Sequence, residues 1–333
     1  MHWIRDHHIK KQLPIALQMW TAYMNIAPHR ASGGVVGGSI AHKLAMMLIQ
    51  LRSTIGAGSV HCVLRQENVI PKQFVVDTSD FEVVNHTIDL WRENSSEKAL
   101  LESVAAEGLN FFDVGANHGV FALVAGAMSP TNQAWAFEPQ PRAAEAIRRS
   151  IKKNSLANVT VVEAVVSDRC GEFTFFSPKS GSGVGSLAKE QGAQSGSAVE
   201  LSCAGTTLDA FVTEMGVDRL DLMKVDVEGF EYAVFNGGRE TLKNLQPIIW
   251  FEMNPPAILR AGHEQENVFS LLRDTGYSTF LDVGTLHLNS PTPVNGPVVA
   301  LTNIVAFPAS KVSHVETIRM RIMNRRTRIC PST

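Results

Sequence analysis

The sequence predicts an α/β domain on a doubly wound, mostly parallel sheet, and three observations predict it. In the first, from Leu109 to Phe121, a short apolar run ends in Asp113 and a turn with Gly115 and Gly119, and a small-residue apolar segment, Val120 to Ala127, follows. That is strand, tight loop, helix, the opening of a nucleotide site in such folds. The second is the alternation of extended and helical patterns through the rest of the chain. The third is that four predicted strands end in an acid, namely Asp113, Glu138, Asp226 and Glu252. Open parallel sheets bind ligands beyond those strand ends.

Each element follows from local pattern. Residues 1–70 read mostly as helix, with Ile15, Met19, Ala22 and Ile26 at spacings of three and four, a break at Pro28, a glycine joint at 33–38 and a second apolar helix from Leu44. From Gln73 the pattern is extended, and Phe74–Val76 and Phe81–Val84 flank Asp77–Asp80 as a hairpin. A helix covers Glu97–Glu107 and stops at Gly108. After the glycine loop come strand Gln133–Phe137, a helix over Pro141–Asn154 with proline in its first turn, and strand Val159–Val166. Two strands, Glu172–Phe176 and Ala198–Ser202, then pair around the Gly/Ser-rich stretch Ser180–Ser197, either a disordered excursion or a mobile flap. Helix Thr207–Met215, strand Leu220–Val225, a helix ending near Gly237, strand Pro247–Phe251, helix Glu264–Asp274 and strands Ser278–Asp282 and Asn303–Phe307 complete about seven strands. The expected division is a helical extension over 1–72, the main domain over 73–310 and a basic tail over 311–333.

Composition narrows the class. An apolar content of 44% with 19% charged residues is that of a soluble globular chain, and a net charge of −2 excludes bulk attraction to nucleic acid. The ends are nonetheless basic. Asp6 alone opposes Arg5, Lys10, Lys11, Arg30, Lys43 and Arg52, and Glu316 alone opposes Lys311, Arg319, Arg321, Arg325, Arg326 and Arg328. Such termini are solvated or make weak contact with a membrane surface. Cys62, Cys170, Cys203 and Cys330 form no C-x-x-C pair and read as reduced thiols. The first residues lack the apolar core of a secretion signal and Val35–Leu51 is too short to span a bilayer, so a cytoplasmic location is expected.

The loop spacing is G-x-x-x-G, not the G-x-G-x-x-G of dinucleotide folds. Glu138 lies 23 residues beyond Gly115, near the roughly 20-residue spacing at which an acid meets ribose hydroxyls. Its two oxygens can accept both hydroxyls of a ribose.

Four blocks, Phe112–Gly119, Phe137-Glu138-Pro139, Thr207-Leu208-Asp209 and Leu222–Glu231, resemble in kind and order the FkbM-type family of S-adenosylmethionine-dependent methyltransferases. The resemblance covers about 75–307. It implies a seven-stranded, Rossmann-like class I methyltransferase fold, here with an N-terminal helical extension and a β-hairpin insertion. It further implies that Asp113, Gly115, Ala116, Asn117 and Gly119 hold the methionine end of S-adenosylmethionine. Glu138 would take the ribose, with Pro139 shaping the turn, Glu163 and Ala164 would flank adenine, and Asp226 would face the transferred methyl. His118 stands where the family more often has an apolar or aromatic residue.

The implied reaction is O-methylation of a hydroxyl on a sugar, glycan or secondary metabolite. A hydroxyl nucleophile loses a proton, so a base is needed. Asp226 and Glu228 come first, and His118 and His263 follow as residues more readily explained as structural. Glu228 can instead serve a helix N-terminus. Asp226 and Glu252 could share a divalent cation, but nothing in the sequence forces a metal and none is assigned. Two rivals stay open, an NAD-type oxidoreductase and a non-catalytic methyltransferase-like binding module. The acceptor, the oligomeric state and the role of 1–72 are not legible.

Overall fold

The expected alternation folds into one central sheet of seven strands. The computed structural model describes residues 61–65, 70–77, 96–105, 108–178, 185–189 and 198–329. In chain order these form β1 (His61–Arg65), β2 (Gln73–Asp77), α1 (Ser96–Val104), β3 (Asn110–Val114), α2 (Val120–Met128), β4 (Gln133–Phe137), α3 (Pro141–Asn154), β5 (Val159–Val162), β6 (Val165–Val166), β7 (Gly171–Pro178) and β8 (Ala198–Thr206). There follow α4 (Leu208–Met215), β9 (Leu222–Val225), α5 (Glu231–Asn236), α6 (Arg239–Leu245), β10 (Ile248–Met253), α7 (Pro255–Arg260), α8 (Gln265–Asp274), β11 (Tyr277–Asp282), β12 (Thr302–Pro308) and α9 (His314–Ile329).

The sheet order is β11-β12-β10-β9-β3-β4-β5. Neighbours from β10 to β5 are parallel, while β12 inserts antiparallel between β10 and β11. Strand order reverses between β3 and β9, which makes their carboxyl ends the place where a ligand crevice opens.

Period-two alternation sorts side chains to the two faces. Phe111, Leu222, Ile248 and Trp250 form one core with the wholly apolar start of α2, and Phe112, Met223, Val225, Ile249 and Phe251 form the other with α4 and α8. The α3 boundaries match the sequence reading because Pro141 sits in the first turn and Ser155 ends the helix in a left-handed conformation, its amide donating to Ile151 and Lys152 carbonyls.

Three expectations are corrected. The extended run 159–166 is not one strand: β5 ends at Val162, and β6 belongs to a separate sheet with β7 and β8. Both pieces are rich in valine, so propensity does not see the change of sheet. The strand over 73–77 pairs with 61–65 upstream, so those residues are extended rather than helical. Its proposed partner at 81–84, and the helices expected over 1–60, lie outside the described residues. Finally, Asp113 and Glu252 each sit one residue inside the ends of β3 and β10 rather than ending them. The inserted hairpin was read correctly in kind, as β7 pairs with β8 over eight residue pairs.

Residues His314–Ile329 of the basic tail form a helix, and its first turns are packed. Ile318 and Ile322 of α9 are buried in the same core as Leu100, Leu101 and Phe121. Arg321 donates to the Ser103 carbonyl of α1, and Arg319 to the carbonyls of Leu288 and Asn289. Among the described residues no helix is long and apolar enough to cross a membrane.

Replacing Ile322 by Ala should cost about 2–5 kcal/mol in urea denaturation, as for other large-to-small core changes. Met320→Ala, on the exposed side of α9, should stay within about 0.5 kcal/mol. Equal, small effects would mean that α9 is not part of the core.

Candidate active site

The loop after β3 is built by backbone contacts that only small residues permit. Gly115 has φ +77°, and a Cβ there would lie 1.8 Å from the Asp226 carbonyl oxygen. The loop after β3 and the loop after β9 therefore meet backbone to backbone. Gly119, with φ +71°, precedes α2 and rests on Ile147 of α3, where a Cβ would come within 2.9 Å. The loop is pinned sideways as the amides of Gly115 and Ala116 donate to the Phe137 carbonyl, at 3.1 and 3.0 Å.

Asp113 is fully enclosed. Its Oδ2 accepts from the Ala122 amide at 3.1 Å, so a strand residue serves the N-terminus of α2 in place of a capping side chain. Its Oδ1 has no hydrogen-bond partner and lies 3.9 Å from Lys224 Nζ. Lys224 Nζ donates to Asp226 Oδ2 at 3.1 Å. Strand register explains the grouping: Asp113 and Trp250 stand opposite Lys224 on the two neighbouring strands, so all three face the same side. Asp226 follows two residues on, and Glu252 occupies the matching place beside it.

Glu138 ties a third strand end to these two. Its Oε2 accepts from the Asn117 amide at 2.8 Å and its Oε1 from the Gln140 amide at 2.9 Å. With a further hydrogen bond from the Gln140 side chain, this uses three of the roughly four lone-pair directions of a carboxylate and leaves capacity for one hydroxyl. Pro139 lies between the two contacts, its carbonyl accepting from Cys203 Sγ. Glu163 and Ala164 stand apart from this network: Glu163 pairs with Arg148 of α3 at 2.7 Å, and Ala164 donates to the Val162 carbonyl where β5 ends.

The loop after β9 is shaped by a residue to which no role was given. Oε1 of buried Glu231 accepts from the amides of Val227 and Gly229, both at 3.3 Å, and folds 226–230 into a turn with Glu228 at φ +53°. Asp209 likewise proves structural, accepting from the Glu240 and Thr241 amides at the start of α6. Over the mouth, Ser186 pairs with Phe176 and its hydroxyl donates to the Glu228 carbonyl at 3.5 Å. The described part of the Gly/Ser stretch is thus docked on the site. His118 is buried with Nδ1 2.8 Å from Asn117 Oδ1, and His263 packs on Phe230 and Tyr232, with burial lowering its ionisation.

Burial dominates the electrostatics. It pushes Glu138 and Glu231 up to about 7 and Glu252 up to about 8, the latter helped by Asp226 and Glu228. Asp113 is also raised, mainly by burial, with Lys224 acting against it. For Lys224, burial acts downward, but Asp226 and Asp113 outweigh it and hold the amine above its ordinary value. Sequence reasoning missed Lys224 as a functional residue, although a lone lysine inside Leu-Met-Lys-Val was a signal that a strand buried on both faces carries a charge. Among the described residues no group of three or more His, Cys, Asp or Glu side chains could hold a metal ion.

The family model described as the methyltransferase FkbM domain matches residues 113–279. The curated protein 2-O-methyltransferase NoeI of Sinorhizobium fredii is 33% identical over 146 residues, covering 39% of this chain and 57% of that protein. The chain therefore spans little more than half the length of that relative. Among solved structures, the methyltransferase FkbM of Methylobacillus flagellatus superposes with a TM-score of 0.37 at 13% identity, over 70% of this chain and 56% of the other. A putative methyltransferase of Streptococcus mutans in complex with SAH gives a TM-score of 0.37 at 9% identity, over 64% and 95%.

The raised carboxylates have a definite consequence for stability. The folded protein holds protons on Glu138, Glu231 and Glu252 that the unfolded chain, with ordinary values of 4.5, has released. Stability should therefore fall as pH rises from about 4.5 to about 8. Melting temperature should drop between pH 5 and pH 8, and Glu252→Gln should flatten the slope. A wild-type curve that rises across this window would contradict the electrostatics.

Proposed function

The chain belongs to the methyltransferase FkbM family, and from that premise we propose that it is an S-adenosylmethionine-dependent O-methyltransferase acting on a hydroxyl of a sugar-like small molecule. The observation that carries the reading is the meeting of three strand ends. Glu138, the glycine loop 115–119 and Asp226 are joined through the Asn117 amide and the contact of Gly115 with the Asp226 carbonyl. The acceptor class is supported by the relative named for 2-O-methylation.

The residues fit the cofactor. Gly115 and Gly119 hold the loop in left-handed turns against the Asp226 carbonyl and Ile147, and Glu138 retains acceptor capacity for a ribose hydroxyl. In this reading Gly115, Ala116, Asn117 and Gly119 line the methionine end, Pro139 sets the Glu138 turn, and Glu163 and Ala164 border the adenine. Asp113 acts from behind, by fixing the start of α2. When bound, S-adenosylmethionine supplies an electrophilic methyl group on a positively charged sulfur. The work left to the chain is to align the acceptor oxygen, exclude water and take up the hydroxyl proton. Asp226, at the crevice and 36% exposed in its side chain, takes that proton, and Glu228 on the same turn assists in orienting the acceptor. The main domain carries this activity, and the basic ends need no nucleic-acid partner for it.

Calorimetric titration with S-adenosylmethionine and S-adenosylhomocysteine, with NAD in parallel, tests the cofactor. Micromolar binding of the sulfur ligands, lost in Glu138→Ala, is expected. Tight NAD binding would hand the protein to hydride chemistry, and binding of neither would leave a non-catalytic module. Asp226→Asn should keep cofactor affinity within about threefold while lowering kcat by about 100-fold or more, the usual range for removing a general base. Full turnover in that variant would remove Asp226 from proton transfer.

A further inference from the structure

We propose that Lys224 is a positioning residue for the transfer, a buried cation that holds the Asp226 carboxylate at the crevice and couples it to Asp113 behind the glycine loop. The proposal rests on the reading of Asp226 given above.

Four elements surround the amine. β3 supplies Asp113, 3.9 Å away, and the loop after β9 supplies Asp226, hydrogen-bonded at 3.1 Å. From α2 comes the Phe121 ring, 5.6 Å from Nζ to centroid, and from β10 the Trp250 ring at 5.8 Å. These distances lie within the reach of cation–π attraction. The two rings pack edge to face, and Trp250 Nε1 donates to Asn303 Oδ1 at 3.1 Å, so the cage is itself held in place. Glu252 on β10, and beyond it Glu228 and Glu231 of the loop after β9, complete the charged groups of the site.

A lysine with 8% of its side chain exposed in the central strand of a sheet is costly, and packing alone would favour an apolar residue. What the charge does here is specific. It bonds the one carboxylate of the pair that reaches the crevice, and it faces the one carboxylate that fixes the start of α2. Asp226 is thereby aimed by the same group that is locked to the cofactor side.

The test is Lys224→Met, which removes charge and donor, beside Lys224→Gln, which keeps a donor. Both are assayed with wild-type enzyme and a hydroxylated acceptor across pH 6–9. Expected are near wild-type S-adenosylmethionine affinity by calorimetry, a kcat at pH 7 lower by tenfold or more in the Met variant with the acceptor KM little changed, and partial recovery of kcat in the Gln variant, which keeps a donor for Asp226. A folded Lys224→Met protein with unchanged kcat, or equal losses in the Met and Gln variants, would overturn the proposal. If neither variant folds, selective 15N-lysine NMR of the wild-type protein decides. The Lys224 ammonium signal must shift in Asp226→Asn, and an unchanged signal would overturn the assignment even if no acceptor were ever found. Loss of all cofactor binding in the wild type would instead count against the function proposed above and leave the NMR result standing.

Discussion

The site depends on how one buried cation is accommodated at the reversal point of the sheet. β9 lies between β3 and β10, and a parallel sheet gives its central strands no access to water on either face. Placing Lys224 there obliges the neighbours to supply compensation at the same height along the strands. They do so with Asp113 on one side and the Trp250 ring on the other, and with Asp226 where β9 ends. Removing any one acid would leave the amine facing less charge than its burial requires, which is why the lysine and its acids behave as a unit.

From that unit the constraints pass outward through backbone. Asp113 fixes the start of α2, which orients the glycine loop. That loop touches the Asp226 carbonyl at Gly115 and gives the Asn117 amide to Glu138. Glu138 in turn holds the Gln140 amide, and the Gln140 side chain accepts from Ser177 of the inserted hairpin. The same hairpin brings Ser186 to the Glu228 carbonyl. The insertion thus closes a ring of contacts around the mouth, from Glu138 to the turn after β9.

Much of this was legible in the sequence, for reasons that can be named. Elements bounded by strong local chemistry fell within a residue or two of their places: α3 by its proline, α4 by Thr207 as N-cap, α8 by the break at Gly276. The strand-end acids were legible because loops beyond parallel strands are short and chemically distinctive. Non-local choices were not. Nothing near Phe74 says that its strand pairs upstream, and nothing in Val159–Val166 marks the point where the chain leaves one sheet for another. Lys224 and Glu231 were quoted as part of a motif without roles, since their roles exist only through partners on other strands and in a folded turn.

Strand, glycine loop and ribose acid are shared with dinucleotide-binding folds, so those three features could not by themselves separate the readings. The separation comes from the other half of the sheet. A doubly wound dinucleotide fold continues 3-2-1-4-5-6 with its last strand outermost. Here the final strand, β12, inserts antiparallel between β10 and β11. On the same half of the sheet, Glu252 of β10 and Asp226 and Glu228 of the loop after β9 line one wall of the crevice. Oxidation of an alcohol by hydride transfer also needs a proton acceptor, so it is the strand order and not the acids that separates the two folds. The carboxylates that sit on that wall, and the lysine that holds one of them, are the features for which the first three strands alone give no reason.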